Sequence, residues 1–302
     1  MYMPTYTYKI EGGLEHTWHV DNVIETANSK NELVFNEKHK RKQKCILEMM
    51  RLLLNETKRH DIKIFAISGT LLGAKRNKGL IAYDDDGDFG FTMTEYDKLL
   101  ELTKTFSHPK YEITEAFDCG FRMRNKGKYI SHIDLFAMGI DSDPNIIVHI
   151  SPIFDKKPLF YTQYFFPKDW MDADCIESLE WCDFEDFQVP CPVNAEKQLA
   201  HIYSPNCLTT YVPDPRNIAD IDLHELLHLA EPTANKLIEL SERFNHCIPS
   251  YLQPKDRRGF FTCMLWRLAG SGLVSMDQSS EAKIKRFQNI LDDYLKYKGA
   301  LL

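Results

Sequence analysis

The sequence predicts an α/β protein: a mixed sheet with flanking helices and a helical C-terminal part. Three observations carry this reading. Short β-rich runs recur through the first half, at residues 62–67, 89–91 and 133–140. A helix-period stretch precedes the first of these runs, and a small-residue turn and second helix follow it. Beyond Asp220 the pattern is helical again. At 302 residues the chain is long enough for one large domain or a domain with an appendage. The expected organisation is an N-terminal arm over 1–35, an α/β domain over 36–218 and a helical region over 219–302.

In chain order, residues 36–60 read as a helix, because Ile46, Met49, Met50, Leu53 and Thr57 recur at helical spacing while the lysines and arginines fall largely elsewhere. The run 62–67 is short and β-rich. Ser68 and Gly69 then suit a tight strand-to-helix turn, since glycine tolerates close approach. After a cluster of aspartates, residues 89–91 read as strand, and Thr94 with Asp97 forms an expected capping box for the next helix. Further strands are expected at 111–114, 120–124, 133–140 and 145–150. The stretch 152–215, rich in proline and aromatics, reads as irregular packing around the sheet. A late helix is expected over 281–297.

Composition restricts the function. The formal net charge is −7, which argues against a general nucleic-acid coat. No apolar run approaches the roughly 18 residues that a membrane span needs. The N-terminus lacks the basic start and apolar core of a signal peptide. Eight cysteines, with no CxxC pair, point to reduced thiols and a cytoplasmic location. Zinc on Cys175, Cys182, Cys191 and Cys207 is a minority alternative, because their spacing is wide.

Residues 81–91 read IAYDDDGDFGF, four aspartates within five residues framed by apolar side chains. On an extended strand, Asp84, Asp86 and Asp88 share one face, while Phe89 and Phe91 enter the core. Two carboxylates one residue apart repel unless a cation lies between them. Oxygen-rich sites of this kind suit Mg²⁺ or Mn²⁺. Asp134, inside the run HIDLFAMGI, is costly in a strand without a partner. It either completes a two-metal phosphoryl-transfer site, or caps a loop or pairs with Arg122 or Arg124. At the preceding turn, Gly69 and Thr70 offer backbone donors and a hydroxyl to a phosphate, and Lys75, Arg76 and Lys78 follow. Strand, small-residue turn, helix, DxD strand and later strand aspartate, in that order, match the layout of a polymerase-beta-type nucleotidyltransferase core.

The stretch SGTLLGAKRNKGLIAYDDDGDFGF resembles the signature of the LicD family, which includes phosphocholine transferases and the fukutin-type ribitol-phosphate transferases. Its approximate pattern, GTLLGxxR, then I, an aromatic and DDDxD, is present from Gly69 through Arg76 and Ile81 to Asp88. Weaker similarity continues through HIDLF and VPCPVNAEKQLAHIYS. The chain departs from the pattern at Gly87, usually aliphatic, at Tyr83, commonly tryptophan, and at Ser204, often glycine.

The resemblance implies transfer of a phospho-alcohol from a nucleotide-diphosphate donor, such as a CDP-linked alcohol, to a glycan hydroxyl. In that scheme Asp86, Asp88 and Asp134 serve catalysis and hold the metal. Gly69, Thr70, Lys75, Arg76, Asp84 and Arg124 line the substrate. A close alternative is a nucleotidyltransferase that transfers the nucleotide itself. A remote one is a zinc peptidase, since residues 224–228 read HELLH. Pro232 interrupts that helix, and Glu231 and Ala234 occupy positions a metzincin gives to glycine and histidine.

Overall fold

The computed structural model describes residues 3–116, 119–140, 142–150, 152 and 170–211, together with 227–228, 231, 235, 261, 285 and 288–296. The chain divides into two compact units, Met1–Leu159 with Pro167–Pro213, and Phe160–Phe166 with Asp214–Leu302. Every candidate carboxylate lies in the first. No helix among the described residues is long and apolar enough to cross a membrane.

The stretch read as an arm contains a hairpin of β1 (Thr5–Lys9) and β2 (Glu15–His19). Tyr6, Tyr8, Trp18 and Val20 from this region belong to the main core. Strand alternation brings this about: Tyr6 and Tyr8 are buried while their neighbours are not. Helix α1 (Glu37–Arg59) follows, with the Asn36 side chain accepting the His39 N–H at 2.9 Å as an N-cap. Its buried stripe includes Ile46, Met49, Met50, Leu53 and Thr57, as the spacing predicts.

The large sheet is built from β3 (Phe65–Ala66), β4 (Gly87–Thr92), β5 (Tyr111–Ala116), β6 (Gly120–Asn125), β7 (His132–Ile140), β8 (Ile146–His149) and β9 (Trp170–Asp172). Its path is β3-β4-β7-β6-β5, with β8 on β7 and β9 on β8. Strands β4 and β7 are parallel, and the other pairings are antiparallel. This is the mixed sheet the sequence predicts. Helix α2 (Ser68–Arg76) joins β3 to the aspartates, and α3 (Tyr96–Thr105) follows β4. Phe89, Phe91, Phe121, Met123, Ile133 and Leu135 fill one face of β4, β6 and β7, where α1 packs against β6 and β7.

Three local expectations are corrected. Strand β4 starts only at Gly87; Asp84 precedes it in a turn closed by its N–H to the Ile81 carbonyl at 3.0 Å. The capping box does not form. Thr94 Oγ1 lies 2.6 Å from Thr92 Oγ1, and a short 3-10 turn, Met93–Glu95, leads into α3. The region expected to be irregular holds, from residue 170 on, β9, a hairpin of β10 (Leu179–Phe184) and β11 (Phe187–Pro192), and helix α4 (Ala195–Ile202). The late helix is present where described, at 288–296.

Candidate active site

Strand register assembles the site. Asp88 on β4 lies opposite Asp134 on β7, and Asp134 lies opposite Arg122 on β6. Partners in register point to the same side of a sheet, so an acid, an acid and an arginine form one row. Two residues along β7, His132 stands opposite Arg124, which stands opposite Glu112. The other side of these strands is the apolar face under α1. On β4, alternation therefore separates Asp88 from Phe89 and Phe91, while Asp84, Asp85 and Asp86 precede the strand.

Asp134 is buried and held by a two-pronged contact. Arg122 Nε donates to its Oδ1 at 2.5 Å and Nη2 to its Oδ2 at 2.9 Å. Burial alone would raise the carboxyl pKa, but Arg122 and His132 outweigh it and hold the group well below the usual carboxylate range. His132 Nε2 lies 3.5 Å from Asp134 Oδ2 and 3.6 Å from Asp86 Oδ2. The Tyr129 hydroxyl meets the other ring nitrogen, Nδ1. Arg124 Nε donates to Glu112 Oε1 at 2.8 Å. Of the two arginines considered as partners of Asp134, Arg122 holds it.

The α2 turn comes to the same place. A Cβ on Gly69 would lie 2.8 Å from Asp84 Oδ2, so glycine lets this carboxylate close over the start of the helix. Buried Thr70 fixes the next strand, its Oγ1 accepting the Asp88 N–H at 2.9 Å. That hydroxyl keeps its own proton to donate. Lys75 turns elsewhere, to Glu180 on β10 and to Glu196 on α4 at 3.5 Å. Desolvation would lower its pKa, but the Glu180 contact prevails and raises it. Arg76 lies 4.4 Å over the Trp18 ring and donates to Asn77 Oδ1 at 2.8 Å and the Cys207 carbonyl at 3.3 Å. Burial lowers its pKa, and Asp84 is among the groups that oppose this.

Ligand oxygens of Asp84, Asp85 and Asp86 all lie within 4.8 Å of one another. These are hard, anionic oxygen donors, and they fit Mg²⁺ or Mn²⁺ by chemistry. Asp85 also meets Lys42 Nζ at 2.5 Å, and its carbonyl accepts from Ser131 Oγ at 2.5 Å. Gly87 is explained as well. It faces the core, where a Cβ would lie 2.6 Å from Met50 Cε and 2.7 Å from Ile133 Cδ1. Met50 from α1 fills the room that a side chain at this position would need.

Sequence reasoning missed His132, Asp85 and Tyr129. His132 was open to discovery, since it stands two residues from Asp134 and so shares its face. Tyr129 lies on a loop, where no periodicity predicts its direction. Among the described residues, the four cysteines from Cys175 to Cys207 form no joint ligand set, and Cys175 groups instead with Asp172 and Asp174. Of HELLH, His224 and Glu225 lie outside the described residues, and His228 is helical and exposed.

Residues 61–194 match the family model described as LicD/FKTN/FKRP, nucleotidyltransferase domain. An uncharacterized protein of Rickettsia prowazekii (strain Madrid E) is 29% identical over 111 residues, covering 36% of this chain. The match spans only 39% of that relative's length. Among solved structures, the lincosamide antibiotic adenylyltransferase LnuA, with lincomycin bound, is similar over 53% of this chain and 94% of its own. Its sequence identity is 14% and the TM-score 0.32.

Proposed function

We propose, from the match of residues 61–194 to the LicD/FKTN/FKRP nucleotidyltransferase domain, that the chain is a metal-dependent phosphotransferase. It moves a phospho-alcohol from a nucleotide-diphosphate donor, a CDP-linked alcohol foremost, to a glycan hydroxyl. The observation that carries this reading is the abreast placement of Asp88 and Asp134 on parallel strands, beside the acids of residues 84–86.

In this reading Asp86 and Asp88 would hold Mg²⁺ or Mn²⁺, with Asp134 as a third acid of the site. The ion would supply neutralisation of the charge on the donor phosphates and the transferred phosphoryl group. Thr70 positions Asp88 through its backbone, and Thr70, Gly69 and Arg76 serve the donor phosphates. Asp134, held so firmly in its ionised form, is a weak base and acts as fixed negative charge rather than as the proton acceptor. The acceptor oxygen forms a new bond to phosphorus as the anhydride bond breaks. The nucleoside monophosphate leaves, and the hydroxyl proton passes to solvent.

The test is turnover of CDP-linked alcohols with Mn²⁺ and a glycan acceptor, read as release of the nucleoside monophosphate. Asp88→Asn should reduce the rate at least 100-fold, the scale of losing a group that neutralises transition-state charge. Its thermal unfolding should stay near wild type. Full activity in that variant removes the assignment. Transfer of the nucleotide to the acceptor, with release of the phospho-alcohol, would make the chain a nucleotidyltransferase in activity as well as in fold.

A further inference from the structure

The hairpin of β10 and β11 carries two cysteines on one face. In its register Cys191 lies opposite Glu180, and Cys182, two residues further along β10, lies opposite Val189. Residues two apart on a strand share a face, so Cys182 and Cys191 are diagonal neighbours on the same side. Both are free thiols, Cys182 half-buried and Cys191 buried. The two thiols are hydrogen-bonding neighbours; burial first, and then this contact, push the Cys191 thiol up. Lys75 reaches the same place from α2. Its ammonium meets Glu180, lies 3.5 Å from Glu196, and acts electrostatically on both sulfurs. Cysteines that serve only as small apolar residues need neither a shared thiol contact nor a lysine beside them.

We propose that Cys182 and Cys191 form an oxidisable dithiol, which closes reversibly into a disulfide across the hairpin when a hydroperoxide reaches Cys182. The exposure of the two sulfurs sets the order of events. Cys182, the more accessible, attacks a peroxide oxygen as the thiolate, the form that the Lys75 ammonium attracts. The O–O bond breaks, the far oxygen takes up the thiol proton and leaves as water or alcohol, and Cys182 holds a sulfenic acid. The Cys191 sulfur then attacks the Cys182 sulfur. The S–O bond breaks, and the departing hydroxide takes the Cys191 proton and leaves as water. Two thiols are thus oxidised to one disulfide while the peroxide bond is reduced. Diagonal neighbours stand farther apart than directly opposed ones, so the closed bridge is strained and easily reduced. Strands β10 and β11 form a two-stranded sheet of their own among the described residues, so no further ladder resists the small shift that closure needs. The inference stands on this hairpin and does not depend on the phosphotransferase reading.

The test is treatment of the folded full chain with hydrogen peroxide, alkylation of the remaining thiols, and mass spectrometry of the digest. Cleavage at acidic residues cuts between the two cysteines, at Asp183, Glu185 and Asp186, so a bridge shows as a joined peptide pair. The expected product joins Cys182 to Cys191, with the loss of both thiols, and is restored by dithiothreitol. Cys191→Ser should stop at the sulfenic acid on Cys182, which dimedone traps, and Cys182→Ser should keep Cys191 as a free thiol. Wild-type Cys182 that proceeds to sulfinic acid without a cross-link would overturn the proposal. A disulfide from either sulfur to any other cysteine, within the chain or between chains, would overturn it as well, and so would recovery of both as thiols.

Discussion

Asp134 shows why a single substitution at a charged site is easily misread. It is buried, and Arg122 meets both its oxygens. Asp134→Asn removes the charge that faces the largely buried Arg122 guanidinium, a loss of about 3–5 kcal/mol by analogy with broken buried pairs. The variant should therefore lose stability in urea unfolding, and its lost activity alone says nothing about metal. Acid should act in the same direction. The folded-state pKa lies below that of the unfolded chain, so the stabilisation is complete above about pH 4, the unfolded aspartate value, and is lost as the pH falls toward the folded one. Wild type should thus lose stability relative to Asp134→Asn as the pH drops below about 4, and a constant difference between them at all pH values would contradict this account. Much at this scale was legible: alternation placed Asp88 opposite Phe89 and Phe91 on β4, although Asp86 precedes the strand. The choice of Arg122 over Arg124 was not, because both arginines share one strand face and only the register with β7 separates them.

Between elements, the least legible feature is the anchoring of the N-terminal hairpin. Glu185 sits with φ +52 at the tip of the β10–β11 hairpin, and its carboxylate accepts from Leu14 N at 2.6 Å, Leu80 N at 2.9 Å and His16 Nε2 at 3.0 Å. The other His16 nitrogen faces the Asn77 carbonyl at 3.2 Å. One buried acid thus joins β2, the loop after α2, and β10–β11. No local pattern could disclose this, since Leu14 and Glu185 are 171 residues apart. It also explains why residues 1–35 read as an arm: their partners are remote, while their own period-2 signal spans only five residues per strand. Glu185→Ala leaves three donors without their acceptor. At about 1–3 kcal/mol for each unsatisfied buried group, it should lower the unfolding free energy by at least about 3 kcal/mol. Glu185→Gln keeps a carbonyl acceptor and should lose distinctly less. If both variants unfold at the wild-type urea midpoint, the acid is not an anchor.

Across the whole molecule, charge bears on how the donor of the proposed reaction would be held. The chain carries a formal net charge of −7, and four aspartates stand together at residues 84–88. A nucleotide diphosphate is itself an anion, so this cluster of carboxylates repels it unless cations intervene. The nearest arginines on the sheet are already engaged: Arg122 with Asp134 and Arg124 with Glu112. Lys75 is engaged with Glu180 and Glu196. On the phosphotransferase reading, a divalent ion would then supply much of the neutralisation beside Arg76, and donor binding should depend on it. A thermal-shift comparison of CDP-, UDP- and GDP-linked donors, each with and without Mn²⁺, tests this directly. At a donor concentration of 100 times Kd, binding stabilises the folded state by about 2.7 kcal/mol, a shift of several degrees for a unit of this size. The shift should appear with Mn²⁺ present, be largest for one base, and disappear in Asp88→Asn. An equal shift without metal would mean that the donor is held by groups away from the carboxylates, and the charge argument would fail at its first step.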